Sequence, residues 1–195
     1  PAWAEAPARR AFGIRAAATA IAWAATAGAS RSAPVATASH DDLVLAPIRL
    51  DARSGYVQGR PALGDRDNRN FIANAGFVID DDGVTVVDAL GSPSLARSLL
   101  AAIARITPLP VRRVIVTHYH ADHVYGLQVF AEAGAEILAH GGGRAYLASD
   151  GARTRMAIGR RDVAPWIDAS TRLVPAHRWL DERGADLDLR GVRIE

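Results

Sequence analysis

The sequence predicts an α/β fold, because short apolar runs typical of strands are followed by an amphipathic helical pattern and then another strand. An apolar, β-prone run at residues 71–79 leads into the turn signal Asp-Asp-Asp-Gly at residues 80–83 and a return strand at residues 84–87. Residues 93–106 carry leucine and isoleucine at helical spacing and end before two prolines. A buried strand is then predicted at residues 114–117.

Composition agrees with one globular core. The chain has 195 residues, of which 49% are hydrophobic and 23% charged, and it has no cysteine, so neither disulfides nor thiolate ligands are available. The other predicted elements are a first strand at residues 43–50, a helix at 127–133, a strand at 135–139, helical segments at 144–149 and 150–160, and an irregular segment at 168–182.

Four metal-ligating side chains follow the strand at residues 114–117. His118, His120, Asp122 and His123 form the run His-x-His-x-Asp-His, and three of the six histidines in the chain lie in it. Imidazole and carboxylate are ligands that zinc accepts. Because residues i and i+2 of an extended segment point to the same side, His118 and His120 can reach one ion. A turn would direct Asp122 and His123 to a second ion nearby. The alternative is a histidine-rich surface loop without metal.

The segment at residues 117–126 resembles the metal-binding signature of the metallo-β-lactamase-fold hydrolases. The resemblance implies an αββα sandwich with two zinc ions, His118 and His120 serving the first and Asp122 and His123 the second. It also implies a catalytic role for Asp122, which would help to orient a metal-bound hydroxide. The ligand set is compatible with iron as well.

Two further features bear on this resemblance. Many members have Gly-Gly after the last histidine of the run, whereas this chain has Tyr125-Gly126. That variant, with Phe130 and residues 134–137, is similar to a periplasmic subgroup tied to quinoprotein relay systems. Family members also place an aspartate at the end of the preceding strand. Asp88 therefore either orients a metal ligand by a hydrogen bond or acts as a plain turn or helix-cap residue.

Ligands beyond these four are not evident in the sequence. A catalytic zinc ion usually has three protein ligands, and the family takes the others from later strands. His40 is expected to be solvated, His140 to be structural, and His177 to precede a strand. Residues 191–195 look like the start of a strand. We therefore expect residues 43–195 to be the first, N-terminal half of the family's domain, and this chain alone to bind metal weakly and be inactive.

The first 29 residues have the layout of an export signal. Arg9-Arg10 is followed by the apolar, uncharged run at residues 16–27 and by small residues suited to cleavage, as in twin-arginine signals. This run is shorter than the ~20 residues of a transmembrane span. An alanine-rich amphipathic helix or a disordered leader is the alternative. We expect a periplasmic protein that meets the membrane only during export, with residues 30–42 as a linker.

The charge of the chain gives no support for a nucleic-acid partner, and none is predicted. Residues 1–29 contain three arginines and one glutamate, which account for the formal net charge of +2 of the whole chain, so the remainder is neutral. Arginines interleaved with aromatic residues are also absent from the sequence. The predicted partner is a small-molecule substrate.

The sequence thus predicts a metal-dependent enzyme in the full-length form. The preferred function is a zinc hydrolase in which a metal-bound hydroxide attacks an ester, thioester or lactam-type substrate. The alternatives are a non-hydrolytic iron or zinc metal-binding or redox protein of the same fold, and an inactive fragment.

Overall fold

The computed structural model describes residues 43–183 and residue 187. In this part of the chain, seven strands form one sheet whose spatial order follows the chain: β1 (Ile48–Arg49), β2 (Ser54–Val57), β3 (Ala75–Ile79), β4 (Val84–Val87), β5 (Val111–Val116), β6 (Glu136–His140) and β7 (Arg178–Leu180). Neighbouring strands are antiparallel from β1 to β4 and parallel from β4 to β7. The predicted mixed α/β class is confirmed. The predicted export signal and linker lie outside the described residues.

Helices connect the parallel strands. Helix α1 (Pro93–Ala104) joins β4 to β5, the short helices α2 (Ala121–Val124) and α3 (Leu127–Glu132) join β5 to β6, and α4 (Gly143–Leu147) and α5 (Asp150–Asp162) join β6 to β7. The Ser92 side chain caps α1 by accepting a hydrogen bond from the Leu95 amide, with proline at the first helical position. The predicted helices at 93–106 and 127–133 are both present, and they end at Ala104 and Glu132.

The turn between β3 and β4 is fixed by the first residue of the Asp-Asp-Asp-Gly signal. Asp80 is buried, and its Oδ1 accepts hydrogen bonds of 2.8 Å from the backbone amides of both Asp82 and Gly83. An aspartate that bonds the amides two and three residues later stabilises a tight turn without help from distant residues. The predicted hairpin is confirmed for this reason.

Three predicted elements differ from the structure. The strand predicted at 43–50 is reduced to the two residues of β1, and the one predicted at 71–79 begins at Ala75. Phe71 instead pairs with a loop, since its carbonyl accepts from the Arg60 amide at 2.9 Å. The segment predicted to be irregular at 168–182 contains β7, which pairs with β6. Strand β7 has only three residues, so the neighbouring strand rather than local sequence defines it.

The core lies between the sheet and the helices. Alternate residues of the central strands are fully buried and pack with the apolar face of α1; the set includes Val84, Val86, Val114, Ile137, Leu95, Leu99 and Ile103. Because β4, β5 and β6 are parallel, their carboxyl ends meet at one edge of the sheet. That edge carries Asp88, Thr117 and His140.

Candidate metal centre

The predicted metal ligands follow the carboxyl end of β5. Val116 pairs with Ala139 of β6, and Ile115 pairs with Val87 of β4, so the residues that come next on all three strands share one edge. His118 and His120 lie in the loop after β5, and both are exposed. Asp122 and His123 lie on α2 and are half-buried.

Asp88 connects the strand ends to this motif. Its carboxylate accepts hydrogen bonds from the Thr117 amide at 2.9 Å, the Thr117 hydroxyl at 2.8 Å and Nδ1 of His123 at 2.8 Å. Asp88 is buried, with 5% of its surface exposed. Asp88 thus hydrogen-bonds a predicted ligand, and the bond to Nδ1 leaves only Nε2 of His123 free for other contacts.

The backbone around Asp88 is unusual. Asp88 and Leu90 both have positive φ angles, 63° and 65°, a conformation that costs a residue other than glycine about 1–3 kcal/mol. The Ala89 amide between them donates to the His123 carbonyl at 2.8 Å, and the Gly126 amide donates to the Leu90 carbonyl at 3.2 Å. These bonds hold the turn after β4 against the C-terminal end of α2 and the residues that follow it.

Gly126 is required by this close approach. A Cβ atom at position 126 would lie 2.0 Å from the Ala89 carbonyl oxygen, far inside van der Waals contact. The glycine after Tyr125 therefore allows the motif to lie directly against the Asp88 turn.

The three motif imidazoles converge. The ring centroid of His118 lies 4.5 Å from that of His120 and 4.1 Å from that of His123. Nδ1 of His118 is 3.0 Å from the Thr117 hydroxyl, which also donates to Asp88. Thr117 thus contacts both His118, a predicted ligand of the first ion, and Asp88, which hydrogen-bonds to His123, a predicted ligand of the second.

Asp122 and His123 face each other. Oδ2 of Asp122 lies 3.4 Å from Nε2 of His123. Two ligands of a tetrahedral zinc ion, each about 2.0–2.2 Å from the metal, are separated by about 3.4 Å. The donor types and the separation of this pair therefore fit a zinc ion.

Electrostatics act in opposite directions on two histidines of the motif. Burial and then the neighbouring imidazoles His123 and His120 lower the pKa of His118, which favours the neutral form that binds metal. The hydrogen bond from His123 lowers the pKa of Asp122. Burial opposes the charged form of His123, but the hydrogen bonds to Asp122 and Asp88 outweigh it and raise the pKa of His123 to about 9.

The motif offers ligands in pairs. Among residues 43–183 and residue 187, no group of three or more histidine, aspartate or glutamate side chains is arranged to hold one metal ion. Each pair is one ligand short of the three that a catalytic zinc ion usually has.

A cleft of ≈ 300 Å³ opens beside the exposed histidines. Its wall includes His118 and His120 on the β5 side and His140, Gly142 and Tyr146 on the β6 side. Its volume is at the lower end of the range for small-molecule pockets, about 300–1,000 Å³.

Comparison with known proteins identifies the family. Residues 68–192, which are more than half of the chain, match the model of the metallo-beta-lactamase superfamily. The chain belongs to this superfamily.

Three proteins illustrate the relationship. A linear primary-alkylsulfatase of Pseudomonas sp. (strain ATCC 19151) is 33% identical over 49 residues, which are 25% of this chain and 9% of that protein. A metallo-beta-lactamase from Erythrobacter litoralis, crystallised with beta-mercaptoethanol in its active site, has a TM-score of 0.50 and 18% identity, over 70% of this chain and 50% of its own. A stereoselective inverting sec-alkylsulfatase from Pseudomonas sp. has a TM-score of 0.46 and 22% identity, over 60% and 18%.

These comparisons concern the fold. The chain spans about 9% of the length of the curated relative and half of the Erythrobacter enzyme. The single sheet of the described residues, with its helices, corresponds to one half of the predicted αββα sandwich of the metallo-beta-lactamase superfamily. No helix in the described part of this superfamily member is both long enough and apolar enough to cross a membrane.

The remaining histidines have different positions. His40 lies outside the described residues. His177 precedes β7, as predicted; its Nδ1 accepts from the Ile137 amide at 3.0 Å and its own amide donates to the Ile137 carbonyl at 2.8 Å. His140 was expected to be structural, but it also lines the cleft. His140 lies beside the motif because β6 pairs in parallel with β5. This position can therefore be predicted only when the order of the strands in the sheet is known.

Proposed function

We propose that this chain carries the metal-binding part of a zinc-dependent hydrolase. The observation that carries the proposal is the geometry of Asp122 and His123, whose facing atoms have the separation of two zinc ligands while Asp88 holds the other side of the His123 ring. His118 and His120 would serve a first ion, and Asp122 and His123 a second.

Zinc, when bound, would act as a Lewis acid and lower the pKa of water near the substrate. The side chains of this chain would do the positioning. Asp88 accepts a hydrogen bond from Nδ1 of His123 and thereby directs Nε2 toward Asp122. Thr117 donates its hydroxyl hydrogen to Asp88 and can accept a hydrogen bond from Nδ1 of His118, so His118 would present Nε2 to an ion.

The proposed reaction is hydrolysis of an ester, thioester or lactam-type substrate, with Asp122 orienting the attacking group. Sulfate-ester hydrolysis is a second candidate, favoured by the 33% identity over 49 residues with the linear primary-alkylsulfatase. The alternative class is a non-hydrolytic iron or zinc protein of this fold, because histidine and aspartate ligate both metals.

The cellular location is part of the proposal. The twin-arginine pattern at Arg9-Arg10 supports export to the periplasm, and the neutral charge of residues 30–195 supports a small-molecule substrate over nucleic acid. A fusion of residues 1–42 to a reporter that is active only after export would test this. Arg9→Lys with Arg10→Lys should abolish export, and unchanged export of that variant would contradict the assignment.

Metal binding provides the main test. The purified chain is stripped with a chelator and titrated calorimetrically with zinc and with ferrous iron, and hydrolysis of ester, thioester, lactam and sulfate-ester substrates is measured with each metal. Because each pair is one ligand short, we propose weak zinc binding and little turnover by this chain alone. Zinc binding that is unchanged after His118, His120, Asp122 and His123 are all replaced by alanine would overturn the proposed site. Hydrolysis with iron and not with zinc would keep the proposed hydrolase but replace its metal by iron.

A further inference from the structure

The cleft beside the motif has two hydrogen-bond donors that the proposed metal ions do not use. Nδ1 of His140 accepts a hydrogen bond from the Gly142 amide at 3.2 Å. A neutral imidazole that accepts at Nδ1 carries its proton on Nε2, so Nε2 of His140 is a donor. Tyr146 supplies the second donor, since its hydroxyl has no hydrogen-bond partner among the described residues.

The His140 donor is available to a ligand. Its nearest acidic neighbour is Glu182, with Oε1 at 3.6 Å from Nε2, which is too long for a hydrogen bond. The Glu182 side chain is 94% exposed, so water competes fully with this contact.

The rest of the cleft is apolar or neutral. None of its lining residues is an aspartate or glutamate, and Val116, Ala139 and the buried Tyr119 contribute apolar surface. Behind Tyr119 the ring of Trp179 is stacked at a centroid distance of 5.9 Å. Gly143 allows the wall to close onto this pair, because a Cβ there would lie 2.6 Å from the Tyr119 ring.

Donors beside an apolar wall suit a particular kind of ligand. A carboxylate accepts hydrogen bonds from both an imidazole N–H and a phenol O–H, and bonds to a charged acceptor are stronger than bonds to a neutral one. None of the residues that line the cleft is acidic, and the carboxylate of Glu182, 3.6 Å from Nε2 of His140, is 94% exposed, so water and salt screen its repulsion of an anion. The aromatic wall favours a flat apolar group attached to that anion.

We propose that the cleft binds a non-reacting carboxylate of the substrate, attached to an apolar or aromatic group. Nε2 of His140 and the hydroxyl of Tyr146 donate to the carboxylate, and the apolar group lies along Tyr119. This inference rests on the proposed function only in that the same cleft adjoins the metal ligands. His140 is then a substrate-binding residue that determines specificity.

Binding of two matched probes to the metal-free chain tests the proposal. In the presence of a chelator, calorimetry measures the dissociation constants of benzoate and of benzyl alcohol, which differ in the carboxylate and are similar in size. Without metal, benzoate cannot coordinate an ion. We expect benzoate to bind about tenfold more tightly than benzyl alcohol, the ratio that one charged hydrogen bond provides.

Three variants assign the donors. His140→Phe keeps a flat ring without a donor and should weaken benzoate binding about tenfold, whereas His140→Gln keeps an N–H and should weaken it less. Tyr146→Phe removes only the hydroxyl and should also weaken benzoate without changing benzyl alcohol. If His140→Phe does not fold, as judged by its unfolding transition, the effect of Tyr146→Phe on benzoate binding tests the proposal.

Equal affinity for the two probes would overturn the proposal, as would benzoate binding that neither His140→Phe nor Tyr146→Phe weakens. These results are separate from the zinc measurements. Benzoate binding without zinc binding would support the carboxylate site and contradict the proposed hydrolase. Zinc-dependent hydrolysis without benzoate binding would support the hydrolase and contradict the carboxylate site.

Discussion

The two proposed ligand pairs differ in how firmly the protein holds them. His123 is half-buried, donates to buried Asp88 and faces Asp122. The side chain of His120 is exposed and makes no hydrogen bond among the described residues; the centroid of its ring lies 4.5 Å from that of His118. Asp122 and His123 are therefore oriented before a metal ion binds, whereas the other pair contains one side chain, His120, that no hydrogen bond fixes.

This difference has a consequence for metal binding. A side chain already fixed by hydrogen bonds loses less conformational entropy when it binds an ion than a side chain that is free to rotate. We therefore expect an ion at Asp122 and His123 to bind more tightly than one at His118 and His120.

Replacing one histidine of each pair tests most directly whether the two pairs differ in zinc affinity. His123→Ala should lower zinc affinity at least about 100-fold, which exceeds the usual cost of losing a ligand's hydrogen-bond partner. His120→Ala should lower the tighter binding constant much less. Calorimetric zinc titrations of the chelator-stripped chain measure both. An equal or larger loss with His120→Ala would mean that the exposed pair dominates binding.

Asp88→Asn tests the cause of the difference. Asparagine retains an oxygen for His123 Nδ1 but loses the negative charge, so zinc affinity should fall about 10–100-fold while every proposed ligand remains. Asp81→Asn is the matched control, because Asp81 is exposed and its recorded contact is a surface ion pair with Arg53 at 3.0 Å. Zinc affinity that is unchanged in both variants would show that Asp88 does not orient the ligand.

Local signals explain which parts of this structure the sequence could predict. The Asp80 turn and the apolar face of α1 each depend on residues close in the chain, and both elements were predicted nearly at their bounds. The strand β7 was missed because its three residues are defined by pairing with β6, more than 30 residues earlier.

The candidate site divides in the same way. The motif from His118 to His123 is local, so its residues could be named from the sequence. The bond between Asp88 and His123 and the place of His140 in the cleft depend on the order of parallel strands. The positive φ angles of Asp88 and Leu90 had no sequence signal, since neither position is a glycine.

Thr117→Val should have a smaller effect than Asp88→Asn. It removes the hydroxyl that donates to Asp88 and contacts His118, but leaves the Thr117 amide bonded to Asp88. We expect a loss of about 1 kcal/mol in the free energy of unfolding, the typical contribution of one hydrogen bond. Thr117→Ser, which keeps the hydroxyl, is the control in urea unfolding experiments. If serine and valine destabilise the protein equally, the hydroxyl does not couple the two pairs.

The stability of the metal-free chain should depend on pH. The pKa of His123 is raised from 6.5 to about 9 in the folded state by Asp122 and Asp88 against the effect of burial. Protonated His123 thus favours folding below pH 6.5, and this contribution is lost as pH rises toward 9. The lowered pKa values of Asp122 and His118 affect stability at lower pH, outside this interval.

Urea unfolding at a series of pH values, with chelator present, measures this contribution, and His123→Gln should flatten the decline between pH 6.5 and 9. Because metal binds the neutral imidazole, zinc affinity should rise over the same interval in which metal-free stability falls. The two trends share one proton on His123. If the decline in stability persists in His123→Gln, the proton is bound by another residue. The pH dependence would then give no evidence that Asp88 orients His123 before a metal ion binds.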